Sequence, residues 1–542
     1  MPVIEIRRED LVGLSGLDRS DDWFESVIPM IGASYEGSEN GRLRFEFFPN
    51  RPDHYSVEGI ARSLRHLYAG SPPEDYGVGY SGLMIEVDKS IKAVRPVMVC
   101  AAVKGIHMTQ ALMESIIDFQ EKLHLTVGRK RRKVSIGLHD LDSVTPPFSY
   151  RAYRPDEISF VPLGKTVEMT PAEIVSGHEK GKEYGHILGS GPYPVITDSA
   201  GNVLSMPPVI NGNVSAITLD TENIFIDVSG TVRGTCAAVL RILCAALADR
   251  GGRIESVRIR EGDAEFAEPD MAYRPMAIAK GYVNRMIGVE MKAEEIQQHL
   301  LGMGYRASLA GDGITAWIPP YRMDVLHAVD IVEDIAIAHG YDRFGKRMPF
   351  CQSVGSLLPV TEFSELVFEA MNGYGYTQVL TFVLSSRKMQ TEMMSMEEGE
   401  TVVLLNPVSE DTEILRRSLL PGLMRLLEAN RHNELPQKVY EIGEVHLPER
   451  RKHLAGVSIH PRATFSEVKS VVDALSRDLR LDLRYEESAD SRFISGRQAT
   501  VSGRYGITGH LGEIYPGTIT NFNLSNPVVG FEIDITDIKV LR

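Results

Sequence analysis

The sequence predicts a multidomain α+β protein, and three observations lead there. A chain of 542 residues is too long for one hydrophobic core and implies roughly three to five domains. Hydrophobic content of 43% with 24% charged residues is that of a folded, soluble chain. The periodicity also changes along the chain: helix-period and alternating stretches are interleaved early, and several strand-like runs follow one another late. No apolar run approaches the ~20 residues that span a bilayer, so no membrane association is expected. The opening MPVIEIRREDLVGLSG lacks a signal-peptide core and reads as a short strand followed by a helix. Cys100, Cys236, Cys244 and Cys351 match no zinc or redox spacing, which points to a reducing cytoplasm.

Residues 1–90 form the first expected unit. Phe45 to Phe48 read as a strand, and Pro49-Asn50-Arg51-Pro52-Asp53 is turn chemistry. Asp53 or Ser56 can cap the next helix, whose Val57, Ile60, Ala61 and Leu64 recur at helical spacing. Residues 91–265 form a mixed α/β unit. A long amphipathic helix near Thr109 to Leu125 leads to Arg129-Lys130-Arg131-Arg132-Lys133 and then to a strand ending at His139-Asp140. The net charge of −15 argues against bulk electrostatic binding of nucleic acid, while this cationic run is either a solvated turn or a local phosphate contact. Turn-rich sequence with short apolar strands fills the middle, and CAAVLRILCAALADRGG is a helix closed by Gly251-Gly252. Residues 274–346 read as helix, helix, strand, helix. Residues 355–542 suggest an antiparallel sheet carrying helices, with strands expected at VVLLN, KVYEIGEVH and NPVVGFEIDI.

Within IPPYRMDVLHAVDIVEDIAIAHGY, Asp330, Glu333 and Asp334 fall at i, i+3 and i+4 on one helical face, and Asp324 precedes them. Two readings stand. Hard oxygen ligands in a small cluster suit Mg²⁺. Acids at a helix start also favour the positive end of the dipole and face water. A hydrolytic metal site would need a nearby base, and His327 and His339 are close in sequence.

Four segments carry a family resemblance: PNRPDHYSVEGIAR (49–62), GRKRRKVSIGLHDLD (128–142) with PPVINGN…IFIDVSGT (207–231), YVNRMIGVEM…IPPYRMDVLHAVDIVEDIAIAHGYDR (282–343), and the C-terminal part. In this order they resemble the β subunit of phenylalanyl-tRNA synthetase in its archaeal and eukaryotic form, over essentially the whole chain. The resemblance implies an N-terminal domain, a B3/B4-like editing and tRNA-binding module, a helical, winged B5-like module and a class II synthetase-like sheet domain. It also implies a cytoplasmic complex of two α and two β subunits that joins phenylalanine to tRNA(Phe) with ATP and Mg²⁺. ATP and phenylalanine are then handled by α, and β contributes assembly, tRNA binding and hydrolysis of Tyr-tRNA.

By family pattern, Mg²⁺ falls at Asp324, Asp330, Glu333 and Asp334, and the editing candidates are Ser205, Asn211, Asp227 and Ser229. Asp227 and Ser229 are two apart on one strand and so share a face. His139 is added as a group that either holds substrate, polarises water or ends its strand. His178, Lys180, Tyr184 and His186 are read as a solvated loop or a contact for the tRNA end. The last domain shows neither the Arg-x-Glu strand nor the late Gly-rich Arg motif of a working class II site. Its corresponding strand reads Val439 to Glu444, and only Arg542 lies late. The alternative reading is a non-enzymatic tRNA-binding or assembly scaffold without editing.

Overall fold

The computed structural model describes residues 2–311, 313–351 and 353–538, so Arg542 lies outside the described residues. The chain packs as two units, residues 1–347 and 348–542.

The first unit opens with a three-stranded antiparallel sheet, β1 (Val3–Arg7), β2 (Ala33–Glu39) and β3 (Arg42–Phe47), in the order β1-β3-β2. The helix Val57–Ala69 follows, with Ser56 Oγ accepting from the Gly59 amide as its N-cap. Asp53 has another task. It takes a two-pronged ion pair from Arg51, with both residues buried.

A ten-stranded mixed sheet comes next. Its strands are β4 (Gly79–Val87), β5 (Val97–Lys104), β6 (Val134–Asp140), β7 (Phe148–Tyr153), β8 (Tyr193–Thr197), β9 (Val203–Met206), β10 (Ile210–Asn211), β11 (Asn223–Gly230), β12 (Arg253–Glu261) and β13 (Ala264–Glu268). The order is β10-β9-β8-β7-β4-β12-β5-β11-β6, with β13 on β12. Because β4 belongs to this sheet, the expected boundary at residue 90 falls too late. The three-stranded sheet and most of the large one also share a single hydrophobic core. The helices Gln110–Leu125 and Arg233–Asp249 pack on the large sheet, and the second is apolar nearly all round because most of it is buried. A smaller core under β8 and β9 serves the turn-rich lobe.

Residues 274–341 begin with a strand rather than the expected helix. β14 (Arg274–Ala279), β15 (Arg306–Ala310) and β16 (Gly313–Ile318) form an antiparallel sheet in the order β14-β16-β15. Helices Lys280–Ile287, Ala293–Gly302 and Ala328–His339 close its core. RPMAIA is short and mostly exposed, so it carries little apolar signal of its own.

The second unit is built on a seven-stranded sheet. Its middle is Gln437–His446, Arg450–Ile459, Val528–Asp534 and Thr508–Ile514, all antiparallel. One edge strand, Thr377–Gln378, pairs in parallel. The strand expected at VVLLN is a single bridge, Val403 to Ile414.

Candidate functional site

A cavity of about 480 Å³ opens on the large sheet, bounded by β6, β9, β10 and β11, the helix Gln110–Leu125 and the loops at 163–165 and 178–180. That volume lies in the range of small-ligand sites. β11 lies between β5 and β6, which sets Asp227 directly across from Gly137. His139 sits opposite Phe225, and so diagonally from Asp227 on the same face. His139 Nε2 lies 2.8 Å from Asp227 Oδ2, and its Nδ1 lies 2.8 Å from Ser215 Oγ. All three side chains are essentially sealed, at 0%, 1% and 0% exposure for His139, Asp227 and Ser215.

Of the unpartnered buried polar atoms on residues that line the cavity, two lie on its strands, and the others are Arg131 Nε and His178 Nε2. Asp227 Oδ1 and Ser205 Oγ are buried without a hydrogen bond, on residues that line the cavity. An unsatisfied buried acceptor costs about 1–3 kcal/mol, so each marks a place where a ligand group can bind. Asn211 lines the same space and donates weakly, at 3.5 Å, to the Leu138 carbonyl. Leu138, Val209, Ile210 and Ile217 add apolar lining. The space thus combines apolar side chains with Ser205, Asn211 and Asp227 from the strands and with charged groups, Glu121, Arg131, Lys165 and Lys180, elsewhere in its lining. It suits an aromatic ring bearing a hydroxyl.

Ser205, Asn211 and Asp227 therefore come together as expected from the sequence. His139, the last residue but one of β6, is bonded to Asp227 and does not itself line the cavity. Ser229 does not join them. Its Oγ accepts from Arg95 Nε at 2.9 Å, and Arg95 Nη2 also donates to the Ser229 and Arg131 carbonyls. The alternation was read correctly, but a buried guanidinium from the segment before β5 covers that position. Burial lowers the proton affinity of Arg95, against the opposing pull of Tyr150, Cys236 and Asp227.

The basic run is not simply a solvated turn. Arg129, Lys130 and Arg131 all adopt left-handed backbone, with φ of 49°, 54° and 63°. Each such non-glycine residue costs on the order of 1 kcal/mol. Arg131 turns inward. Its Nη1 donates to the Pro208 and Val209 carbonyls, its Nη2 bonds Glu121 at 2.6 Å, and the guanidinium stacks 4.3 Å from the Tyr184 ring centroid. It thereby ties the turn to the Pro207-Pro208 wall of the cavity. His178 is also drawn in: it caps a short helix by accepting from the Lys180 amide and lines the cavity with Lys180. Burial beside Lys165 lowers its pKa and favours the neutral ring. His186 stays exposed. Sequence reasoning missed Ser215, Gly137 and Arg95. Only Gly137 left a visible trace, as the glycine interrupting the apolar strand VSIGLHD.

Asp324 and the three acids of the Ala328–His339 helix do not converge. Arg322 takes Asp324 through Nε at 2.9 Å and Nη2 at 2.7 Å, and takes Asp334 at 2.7 Å. Asp334 also accepts from the Tyr305 hydroxyl. Asp330 Oδ2 accepts from the Leu326 and His327 amides, capping the helix. Glu333 is exposed, and desolvation with Asp334 and Asp330 nearby raises its pKa. Among the described residues no group of three or more His, Cys, Asp or Glu is arranged to hold a metal. The expected four-carboxylate set is not assembled as a cage in this arrangement. A fixed guanidinium already neutralises two of its members, and the donors as placed do not fit an inner-sphere ion shared by all four.

Comparison with known proteins places the site in a lineage. Models of the B3/4 domain, the tRNA synthetase B5 domain and the phenylalanyl tRNA synthetase beta chain CLM domain match residues 94–239, 276–341 and 345–535. The chain is 42% identical to the phenylalanine-tRNA ligase beta subunit of Methanococcoides burtonii, over 99% of this chain and 100% of the relative. The chain belongs to the phenylalanine-tRNA ligase beta subunit family. It is also 36% identical to the Methanocaldococcus jannaschii member, again over 99% of this chain and 100% of that one. An N-terminal fragment of the phenylalanyl-tRNA synthetase β subunit from Pyrococcus horikoshii aligns with a TM-score of 0.61 at 36% identity. The alignment covers 63% of this chain and 100% of the fragment. The cavity residues on β6, β9, β10 and β11 all lie inside the stretch matched by the B3/4 model.

Proposed function

We propose that this chain is the β subunit of a phenylalanine-tRNA ligase complex with an α partner, in a two-α, two-β assembly, and that the sheet cavity hydrolyses tyrosine wrongly esterified to tRNA(Phe). The observation that carries the hydrolytic reading is the unpartnered, buried Asp227 Oδ1 on the lining of a cavity of small-ligand size. A synthetic pocket built for a phenyl ring rejects an added hydroxyl poorly, by only ~10². A second pocket that leaves a polar atom unpaired with phenylalanine, and pairs it with tyrosine, selects in the opposite sense.

The phenolic O–H would donate to Asp227 Oδ1, and Ser205 and Asn211 would border the ring. The ester would then lie toward the loops of Lys165 and Lys180. No strong nucleophile lines the cavity, so a positioned water would attack the ester carbonyl carbon and the ribose oxygen would leave with a proton. A scaffold that had lost hydrolysis has no use for a costly unpaired acceptor, which favours editing over that alternative. Changing Asp227 to Ala should slow deacylation of Tyr-tRNA by about 10- to 100-fold in the assembled complex, with Phe-tRNA formation nearly unchanged. Equal loss of both activities would make Asp227 a folding residue, and unchanged deacylation would remove it from the site.

Adenylate formation with ATP and phenylalanine belongs to α in this reading. In the second unit Glu441 is buried against Arg416 at 2.7 Å, and Glu532 is held by His453 and Ser418. Charged groups of this sheet are thus engaged with one another. Magnesium at the Ala328–His339 helix, if bound, is a structural ion that keeps most of its waters on Asp330 and Glu333 while Arg322 retains Asp324 and Asp334. A cytoplasmic location accords with the family reading, and no helix among the described residues is long and apolar enough to cross a membrane.

A further inference from the structure

We infer that His139 and Ser215 are positioning residues that fix Asp227 as a one-sided acceptor, and so set the preference of the cavity for an aromatic aminoacyl ester carrying a ring hydroxyl. This rests on the hydrolytic reading and adds the device that makes it selective.

The geometry defines a chain of three side chains. A carboxylate oxygen only accepts, so the contact to Asp227 Oδ2 requires a proton on Nε2, and in the neutral ring this leaves Nδ1 to accept from Ser215 Oγ, 2.8 Å away. Nε2–H donates to Asp227 Oδ2 at 2.8 Å. A protonated ring would also donate from Nε2, so the direction of that bond holds in both charge states. One carboxylate oxygen is thereby satisfied and turned away, and Oδ1 is the oxygen left open.

A carboxylate free to rotate could accept a hydroxyl with either oxygen, or turn to water. This one cannot. Gly137 lies directly across from it, and a Cβ there would stand 1.9 Å from Oδ2 and 2.7 Å from His139 Nε2. The carboxylate and imidazole occupy the space a side chain would fill. Oδ1 has no donor of its own. An ester with a bare phenyl ring leaves it unpaired, whereas a phenol pairs it. Without the Nε2–H donor the same carboxylate would be less fixed.

The test uses the assembled complex with His139→Leu, His139→Gln and Ser215→Ala. Two readouts are taken: the ratio of Tyr-tRNA to Phe-tRNA deacylation, and the relative affinity for 3′-deoxy-3′-(L-tyrosyl)amino-adenosine and its phenylalanyl counterpart, which are not hydrolysed. Thermal unfolding and Phe-tRNA formation are followed alongside. Both tyrosine preferences should fall about tenfold or more in His139→Leu, less in Ser215→Ala, and recover largely in His139→Gln, whose amide can replace the Nε2–H donor. A purely structural role would lower the melting temperature without changing the ratio. If the wild type prefers tyrosine and folded His139→Leu keeps the wild-type preference, or folded His139→Gln loses it, the positioning role of the Nε2–H donor is overturned while the hydrolytic reading stands. If the wild type itself shows no preference in either readout, both fall together.

Discussion

Gly137 and Asp227 face each other across two strands, and the missing side chain of one makes room for the carboxylate of the other. Gly137 has ordinary backbone geometry, so its value is space rather than conformational freedom. Gly137→Ala should therefore displace Asp227 and His139, cost about 1–3 kcal/mol of stability and weaken Tyr-tRNA deacylation. Chemical denaturation and a deacylation assay on the same variant check this, and unchanged values in both would show that the wall is softer than its geometry implies. At this scale the sequence was informative about single residues and poor about pairs. Asp227, Ser205 and Asn211 were legible through family pattern. Ser215 was not, because it lies 76 positions from His139 and nothing local marks it. Ser229 was misassigned because alternation reports a face and not what covers it, and here Arg95 covers it.

The elements explain why those pairs form. The β11–β6 register aligns Asp227 with Gly137 and Phe225 with His139, and a slip of one residue would turn every one of these side chains to the other face. Long helices rich in apolar residues, such as Gln110–Leu125 and Arg233–Asp249, were readable in the sequence with boundaries close to those observed. Short or exposed strands such as Arg274–Ala279 were not, since they bury too little to show a pattern. The Ala328–His339 helix shows another limit. Spacing placed its acids on one face, yet Arg322, six residues ahead of that helix, takes two acids of the expected set. Manganese added to the complex should bind weakly there, with a largely aquated electron paramagnetic resonance signal that diminishes in Glu333→Gln. A rigid signal that needs all four carboxylates would show that Arg322 yields its partners to the ion.

For the whole molecule, the two units divide the expected labour. Residues 1–347 carry the cavity, and residues 348–542 carry a sheet with internally paired charges. The multidomain α+β class was legible from length and changing periodicity. The continuity of the first core was not, because it depends on long-range packing between the small sheet and the large one. The chain without its α partner should show only background ATP–pyrophosphate exchange with phenylalanine, and exchange matching the complex would contradict that division. The central claim is that Asp227 Oδ1 receives a tyrosyl hydroxyl in the sheet cavity. A crystal structure of the complex with 3′-deoxy-3′-(L-tyrosyl)amino-adenosine tests it most directly. The phenolic oxygen should lie within about 3 Å of Asp227 Oδ1, with the ring over Gly137 and the adenosine toward Lys165 and Lys180. A tyrosyl ring bound elsewhere, or one in the cavity with its hydroxyl turned away from Asp227, would contradict it.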